Sequence, residues 1–212
     1  MAQSDVRRKP RQKRSKEKVG KILDVVEKLA IEQGLEGLTT TNIAETTGFA
    51  VGTIYQYFSN RTELLIAAEE RMFERLAERL TQEVMTVLSN PVEDPIDLIL
   101  GSYVENARSE PGYLPLLKFS VLNKPPGVNE ATVQDFTGEI IETYLRATHP
   151  GISDCQAKIT VKTLVSILAV LTDLVLLEPD PELQKRYQEE MIAQCKFAIS
   201  RAAEPDLPSH GS

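Results

Sequence analysis

Histidine and cysteine are scarce in this 212-residue chain, which holds only His149, His210, Cys155 and Cys195. No spacing among the four suits a zinc site, which argues against metal catalysis. The chain also lacks a Gly-x-Ser-x-Gly elbow, a phosphate-binding glycine loop and a dinucleotide fingerprint. No catalytic residue, no metal ligand and no cofactor site is therefore expected. There is no secretory signal pattern either. The nearest approach to a long apolar run, Thr163 to Leu177, is broken by Ser166, Thr172 and Asp173, so the expectation is a cytoplasmic protein without a membrane span. In a reducing compartment the two cysteines are expected to pack as small apolar residues and not to form a disulfide. No segment alternates cleanly enough to be a strand and no repeat is present, which leaves an all-α class.

Charge is unevenly spread. The chain has 24 basic and 31 acidic residues, a net −7. Residues 1–21 carry nine Lys or Arg against Asp5 and Glu17. The other 15 basic and 29 acidic residues leave the body at −14. A basic stretch of this kind suits phosphate contacts or minor-groove insertion, and it equally suits a disordered tail that aids solubility. Residues 1–14 are accordingly expected to be a basic disordered arm. An acidic body would repel DNA everywhere except at this end.

The most informative stretch is residues 38–65, LTTTNIAETTGFAVGTIYQYFSNRTELL. Thr40 or Thr41 suits the cap of a short helix, Gly48 suits its left-handed end, and Val51 to Phe58 read as a second helix. Ile43, Ala44 and Thr47 fall at helical spacing, with Ile43 turned inward and the small Ala44 where the second helix approaches. This is a helix-turn-helix, whose second helix enters the major groove. Gly52 and Thr53 leave room for close approach. Thr40, Thr41, Thr53, Tyr55 and Tyr57 supply hydroxyls, and Arg61 a charge at the next helix N-terminus. A core segment with no nucleic-acid partner is the alternative.

Thr40, Ile43, Ala44, Gly48, Gly52, Thr53, Ile54, Tyr55, Phe58, Arg61, Leu64 and Leu65 together resemble the DNA-binding domain of TetR-family transcriptional regulators. The amphipathic stretch Val19 to Gly34 extends the likeness to about residues 15–70. Two positions depart from the pattern: Ala50 stands where the family often has serine, and Arg61 where lysine is common. The resemblance implies DNA contacts from Thr40, Thr41, Val51, Gly52, Thr53, Tyr55, Tyr57 and Arg61. Ile43, Ala44, Ile54 and Phe58 are expected to hold the small domain together.

From Thr62 onward, proline and glycine punctuation at Pro91, Pro111-Gly112, Pro125-Pro126-Gly127, Pro150-Gly151 and Pro179 divides the chain into six further helices. The expected organisation is a three-helix DNA-binding domain over 15–61, a six-helix effector-binding and dimerisation domain over 62–203, and a tail over 204–212. The helix from Ser153 to Leu177 gathers Lys158, Lys162, Ser166 and Asp173 in one polar seam, so two of its faces need apolar cover. The last helix offers Leu183, Tyr187, Met191, Cys195 and Ala198 as an apolar stripe. Both features suggest a homodimer through the last two helices, in keeping with a palindromic operator. Tyr103, Tyr113, Phe119, Phe136 and Tyr144 lie on the central helices; Tyr103, Phe119, Phe136 and Tyr144 are the candidate lining of a small-molecule site, and ordinary core packing is the alternative. The expected function is a ligand-responsive regulator, a repressor released from double-stranded operator DNA by a small apolar or amphipathic effector. A non-specific nucleoid-type DNA binder and an enzyme are the competing classes.

Overall fold

The computed structural model describes residues 8–123 and 130–202, with side chains over 13–119 and 137–202. The described residues form α-helices and one 3₁₀ turn, with no strand among them. In chain order these are α1 (Arg8–Gln33), the 3₁₀ turn (Leu35–Gly37), α2 (Thr40–Thr47), α3 (Val51–Tyr55), α4 (Arg61–Ser89), α5 (Pro95–Ser109), α6 (Tyr113–Asn123), α7 (Glu130–Thr148), α8 (Asp154–Leu177) and α9 (Pro181–Ala202). The all-α expectation holds. Helix α1 begins at Arg8, inside the segment expected to be a disordered arm. Its run of Lys, Arg, Gln and Glu is helix-compatible, and Pro10 falls in the first turn, where its missing N–H breaks no bond.

The helices gather into two compact units, Met1–Met72 with Glu110–Lys124, and Phe73–Ser109 with Pro125–Ser212. Besides the segment expected to read DNA, the first unit takes in about three turns of α4 and all of α6. Helix α6 packs against α1 and the 3₁₀ turn, burying Tyr113, Leu116, Leu117 and Phe119 while Leu114 stays exposed. The first core is built from Ile22, Val26 and Leu29 of α1, Ile43 of α2, Ile54 of α3, and Leu64, Leu65 and Met72 of α4. Arg71 on α4 donates to the Gly20 carbonyl at 3.1 Å and pairs with Asp24 and Glu27 at 2.8 and 2.7 Å, tying α4 to α1.

In the second unit α8 packs against α7 and α9, and α5 against α8 and α9. Ser153 caps α8 by accepting from the Gln156 N–H at 3.2 Å. Lys196 on α9 bonds Asp97 and, at 3.1 Å, Asp94; these two bonds hold its ammonium above its ordinary pKa. By length and composition α8 would be apolar enough to cross a membrane, in spite of the interruptions at Ser166, Thr172 and Asp173. In this fold it carries part of the second core through Leu164, Leu168 and Val175.

The expected stripe on α9 is divided, with Leu183 exposed and Met191 and Cys195 turned inward. Met191 and Cys195 are 0% and 2% exposed in the protomer's own core, where Thr172 Oγ1 lies 3.6 Å from Met191 Sδ. The apolar residues left at the surface are Ile159, Val170 and Leu174 of α8 and Leu183 and Phe197 of α9. On the polar seam of α8, Asp173 is half-buried, whereas Lys158, Lys162 and Ser166 are exposed. Periodicity finds an apolar stripe but does not say what lies against it.

Candidate functional site

The reading head is built by local bonds. Thr39, not Thr40 or Thr41, caps α2: its Oγ1 accepts from the Asn42 N–H at 3.1 Å. Three consecutive threonines make the register of the cap unreadable from sequence. Asn42 in turn donates to the Gly37 carbonyl at 3.0 Å and to Gln33 Oε1 at 2.8 Å, fixing α2 to the end of α1. Gly48 ends α2 at φ 73°, the left-handed region that disfavours side chains. The next N–H, of Phe49, reaches back to the Ala44 carbonyl at 3.1 Å, the bond of a Schellman turn. Buried Thr47 closes the corner, donating to the Ile43 carbonyl at 2.8 Å and accepting from the Phe49 N–H at 3.3 Å.

Helix α3 is shorter than expected, ending at Tyr55, so Tyr57 and Phe58 lie in the following turn. Ala50 at its N-cap makes no side-chain bond. Ile54 and Phe58 are buried, as are Ile43 and Ala44, so these four hold the head together. The opposite face is open: Val51, Gly52 and Tyr55 are exposed, and a Cβ built on Gly52 meets nothing within 4 Å. Tyr55 is 52% exposed, an arrangement that leaves an aromatic ring in water without a protein partner to cover it. Its hydroxyl shares a 3.4 Å hydrogen bond with Thr40 Oγ1, linking α3 to α2. Thr41 is exposed, Thr53 and Tyr57 half-buried. Arg61 is exposed, and its guanidinium donates to the Leu35 carbonyl. Asn60 Oδ1 accepts from the Glu63 N–H at 2.9 Å and Glu63 Oε2 from the Ser59 N–H at 2.7 Å, a reciprocal cap that starts α4. All eight expected DNA-contact residues thus lie between the start of α2 and the start of α4.

Two lysines of the basic stretch over 1–21 meet this corner. Lys18 and Lys21 of α1 place their Nζ atoms 6.0 and 5.1 Å from the centre of the Phe49 ring, one residue before the N-cap of α3. Only the fold brings them there, because 28 residues separate Lys21 from Phe49.

The candidate effector residues are drawn from both units. Phe119 is buried in the first unit, whereas Tyr103 and Tyr144 pack with Leu80, Val84, Val87 and Ile99 in the second. The side chain of Phe136 lies outside the described residues. Burial pushes the Tyr103 phenol up to about 12, with nearby Asp173 adding to the shift, and burial raises Tyr144 too. Both therefore offer neutral hydroxyls. Tyr144 lines a cavity of about 50 Å³ together with Leu80, Val84, Ile99, Leu100, Ile140, Leu168 and Cys195, and no charged group faces it. Burial also pushes the Cys195 thiol up to about 12.

A helix-turn-helix closed by Gly48 with α3 exposed coincides with an independent match: the model of the bacterial regulatory proteins, tetR family, fits residues 22–68. Residues 22–68 carry the DNA-binding domain of the tetR family of bacterial regulatory proteins. Over 64 residues it is 41% identical to the HTH-type transcriptional repressor KstR of Rhodococcus jostii, covering 30% of each chain. Over 109 residues it is 29% identical to the nucleoid occlusion factor SlmA of Actinobacillus pleuropneumoniae, covering 48% of this chain and 50% of that one. The likeness to these curated relatives spans at most about half of their length. The fold is shared more widely: a TetR-family transcriptional regulator from Streptomyces coelicolor superimposes with a TM-score of 0.61 at 23% identity, over 87% of this chain and 98% of that one.

Proposed function

We propose that this protein is a homodimeric DNA-binding transcriptional regulator of the TetR type in the cytoplasm, a repressor of the genes beside its operator. The observation that carries the reading is the open face of α3, where Val51, Gly52 and Tyr55 stand exposed over a closed core. DNA reading is assigned to 15–61, through Thr40, Thr41, Val51, Gly52, Thr53, Tyr55, Tyr57 and Arg61, and effector binding and dimerisation to 62–203. The part of the likeness to KstR that concerns this reading is a repressor's name on a similar head.

For the dimer, Ile159 at 55%, Val170 at 61% and Phe197 at 62% exposure on α8 and α9 supply apolar surface that a second copy would cover. For the effector, the cavity beside Tyr144 is lined by aliphatic side chains with neutral polar atoms only, which suits a small apolar or amphipathic molecule. At about 50 Å³ it is smaller than a ligand pocket of about 300–1,000 Å³, so an effector would part the helices around it. Leu80 and Val84 of α4 are among the lining residues, and α4 runs back without interruption to Arg61. Effector and operator would then compete through α4, each weakening the other by the same factor. The reading is of a binding protein and not of an enzyme.

A second reading, a nucleoid-type binder without operator preference, draws on the likeness to SlmA. The test is competition: genomic fragments recovered with the full-length protein are challenged with random-sequence duplex. A regulator retains a preferred fragment against a large excess of competitor, whereas equal displacement by either DNA supports the second reading.

A further inference from the structure

We propose that α1 itself contacts the DNA backbone, with Arg14, Lys18 and Lys21 forming a rigid phosphate-binding edge beside the entrance to α3; this rests on the DNA-binding reading above. The three cations are spaced by four and three residues, so they share one face of α1. All are exposed. Seven residues of helix set them along about 10 Å, against one phosphate per 3.4 Å of axis on each strand of a duplex.

Three features separate this edge from an ordinary solvated surface. Like charges three and four residues apart destabilise a helix unless something answers them, and no carboxylate among the described residues pairs with Arg14, Lys18 or Lys21. The nearest acids C-terminal to them on α1, Asp24 and Glu27, are given to Arg71 at 2.8 and 2.7 Å. Lys28, the next cation on the same face, faces Glu32 at 3.9 Å, so the uncompensated stretch stops at Lys21. The second feature is placement: Lys18 and Lys21 stand over the ring of Phe49, whose backbone is pinned to Ala44 and Thr47 immediately before α3. A cation held over an aromatic face keeps its other N–H groups free for an anion. The third is rigidity. Because α1 is continuous from Arg8 to Gln33, the edge is presented by a helix and needs no ordering of a loose arm on binding. Polyanionic duplex lying along α3 would bring its flanking phosphates to this edge.

The test uses the full-length protein and a fluorescent random-sequence duplex, so no operator need be known. Binding is followed from low to moderate salt for the parent, for Lys18→Gln/Lys21→Gln, and for Lys185→Gln/Arg186→Gln as a control that removes two charges from α9. The slope of log affinity on log salt should flatten by about 0.9 for each phosphate that is no longer neutralised, up to about 1.8 for the α1 pair, with the control unchanged. Thermal melts check that both variants remain folded. A parental slope in the α1 variant, or an equal flattening in the control, overturns the inference. Failure of the parent to bind any duplex would instead defeat the DNA-binding reading itself.

Discussion

Gly52→Ala is expected to make the protein more stable and a poorer DNA binder at the same time. Gly52 is the second residue of α3, and a Cβ built there meets nothing within 4 Å. Its backbone is helical, so alanine fits without strain. Replacing glycine by alanine at such a position removes freedom from the unfolded chain and stabilises by about 0.4–1 kcal/mol, which in a chain of this size raises the melting temperature by about 1–4 °C. The new methyl, however, stands on the exposed face between Val51 and Tyr55. If that face lies in the major groove, the methyl holds the helix off the base edges. Disrupting the reading of one base pair costs about 1–3 kcal/mol, a fall in specific affinity of roughly 5- to 150-fold. Scanning calorimetry and a gel shift on a recovered genomic fragment measure the two effects on one preparation. A lower melting temperature would refute the reading of free space around Gly52. Raised stability with unchanged affinity would remove Gly52 from the interface.

Three other experiments bear on the α2 corner, the second core and the dimer surface. Gly48→Ala should cost about 1–2 kcal/mol in urea melts, because φ 73° disfavours any side chain even though the space is open, and Gly48→Asn should cost less. A thiol reagent at pH 8 should titrate one group per native protomer, exposed Cys155, while buried Cys195, its thiol pushed up to about 12, reacts only on unfolding; two fast thiols would mean that the second core is open. Val170→Glu should yield folded monomer in sedimentation, whereas Met191→Glu should lower stability by several kcal/mol, since a charge would be buried in the protomer's own core; a folded monomer from Met191→Glu and an intact dimer from Val170→Glu would restore the α9 stripe as the interface.

Much of the fold was legible because proline and glycine mark helix ends by backbone chemistry alone. The helix expected over Ser153 to Leu177 is α8, Asp154–Leu177, for that reason. What local signals left ambiguous was settled by tertiary contacts. The cap of α2 fell to Thr39 only because Asn42 is held by Gly37 and Gln33. Helix α3 stopped short of Phe58 because that ring turns into the core. Helix α6, mostly apolar, gave no sign of which unit it joins. In the head, residue types with one dominant use, such as Gly48 or the buried Ile43 and Ile54, were readable. Pairs brought together across sequence, such as Lys21 with Phe49 or Arg71 with Glu27, were not.

The central claim is that the open face of α3 reads a specific two-fold DNA site. Footprinting of the full-length protein on genomic fragments that it selects tests this most directly, with Tyr55→Ala alongside. The account expects protection of two half-sites related by a dyad and spaced by about one or more helical turns, lost in the Tyr55→Ala protein while its helicity and melting temperature persist. Uniform protection without preferred fragments, or a footprint unchanged by Tyr55→Ala, would contradict it.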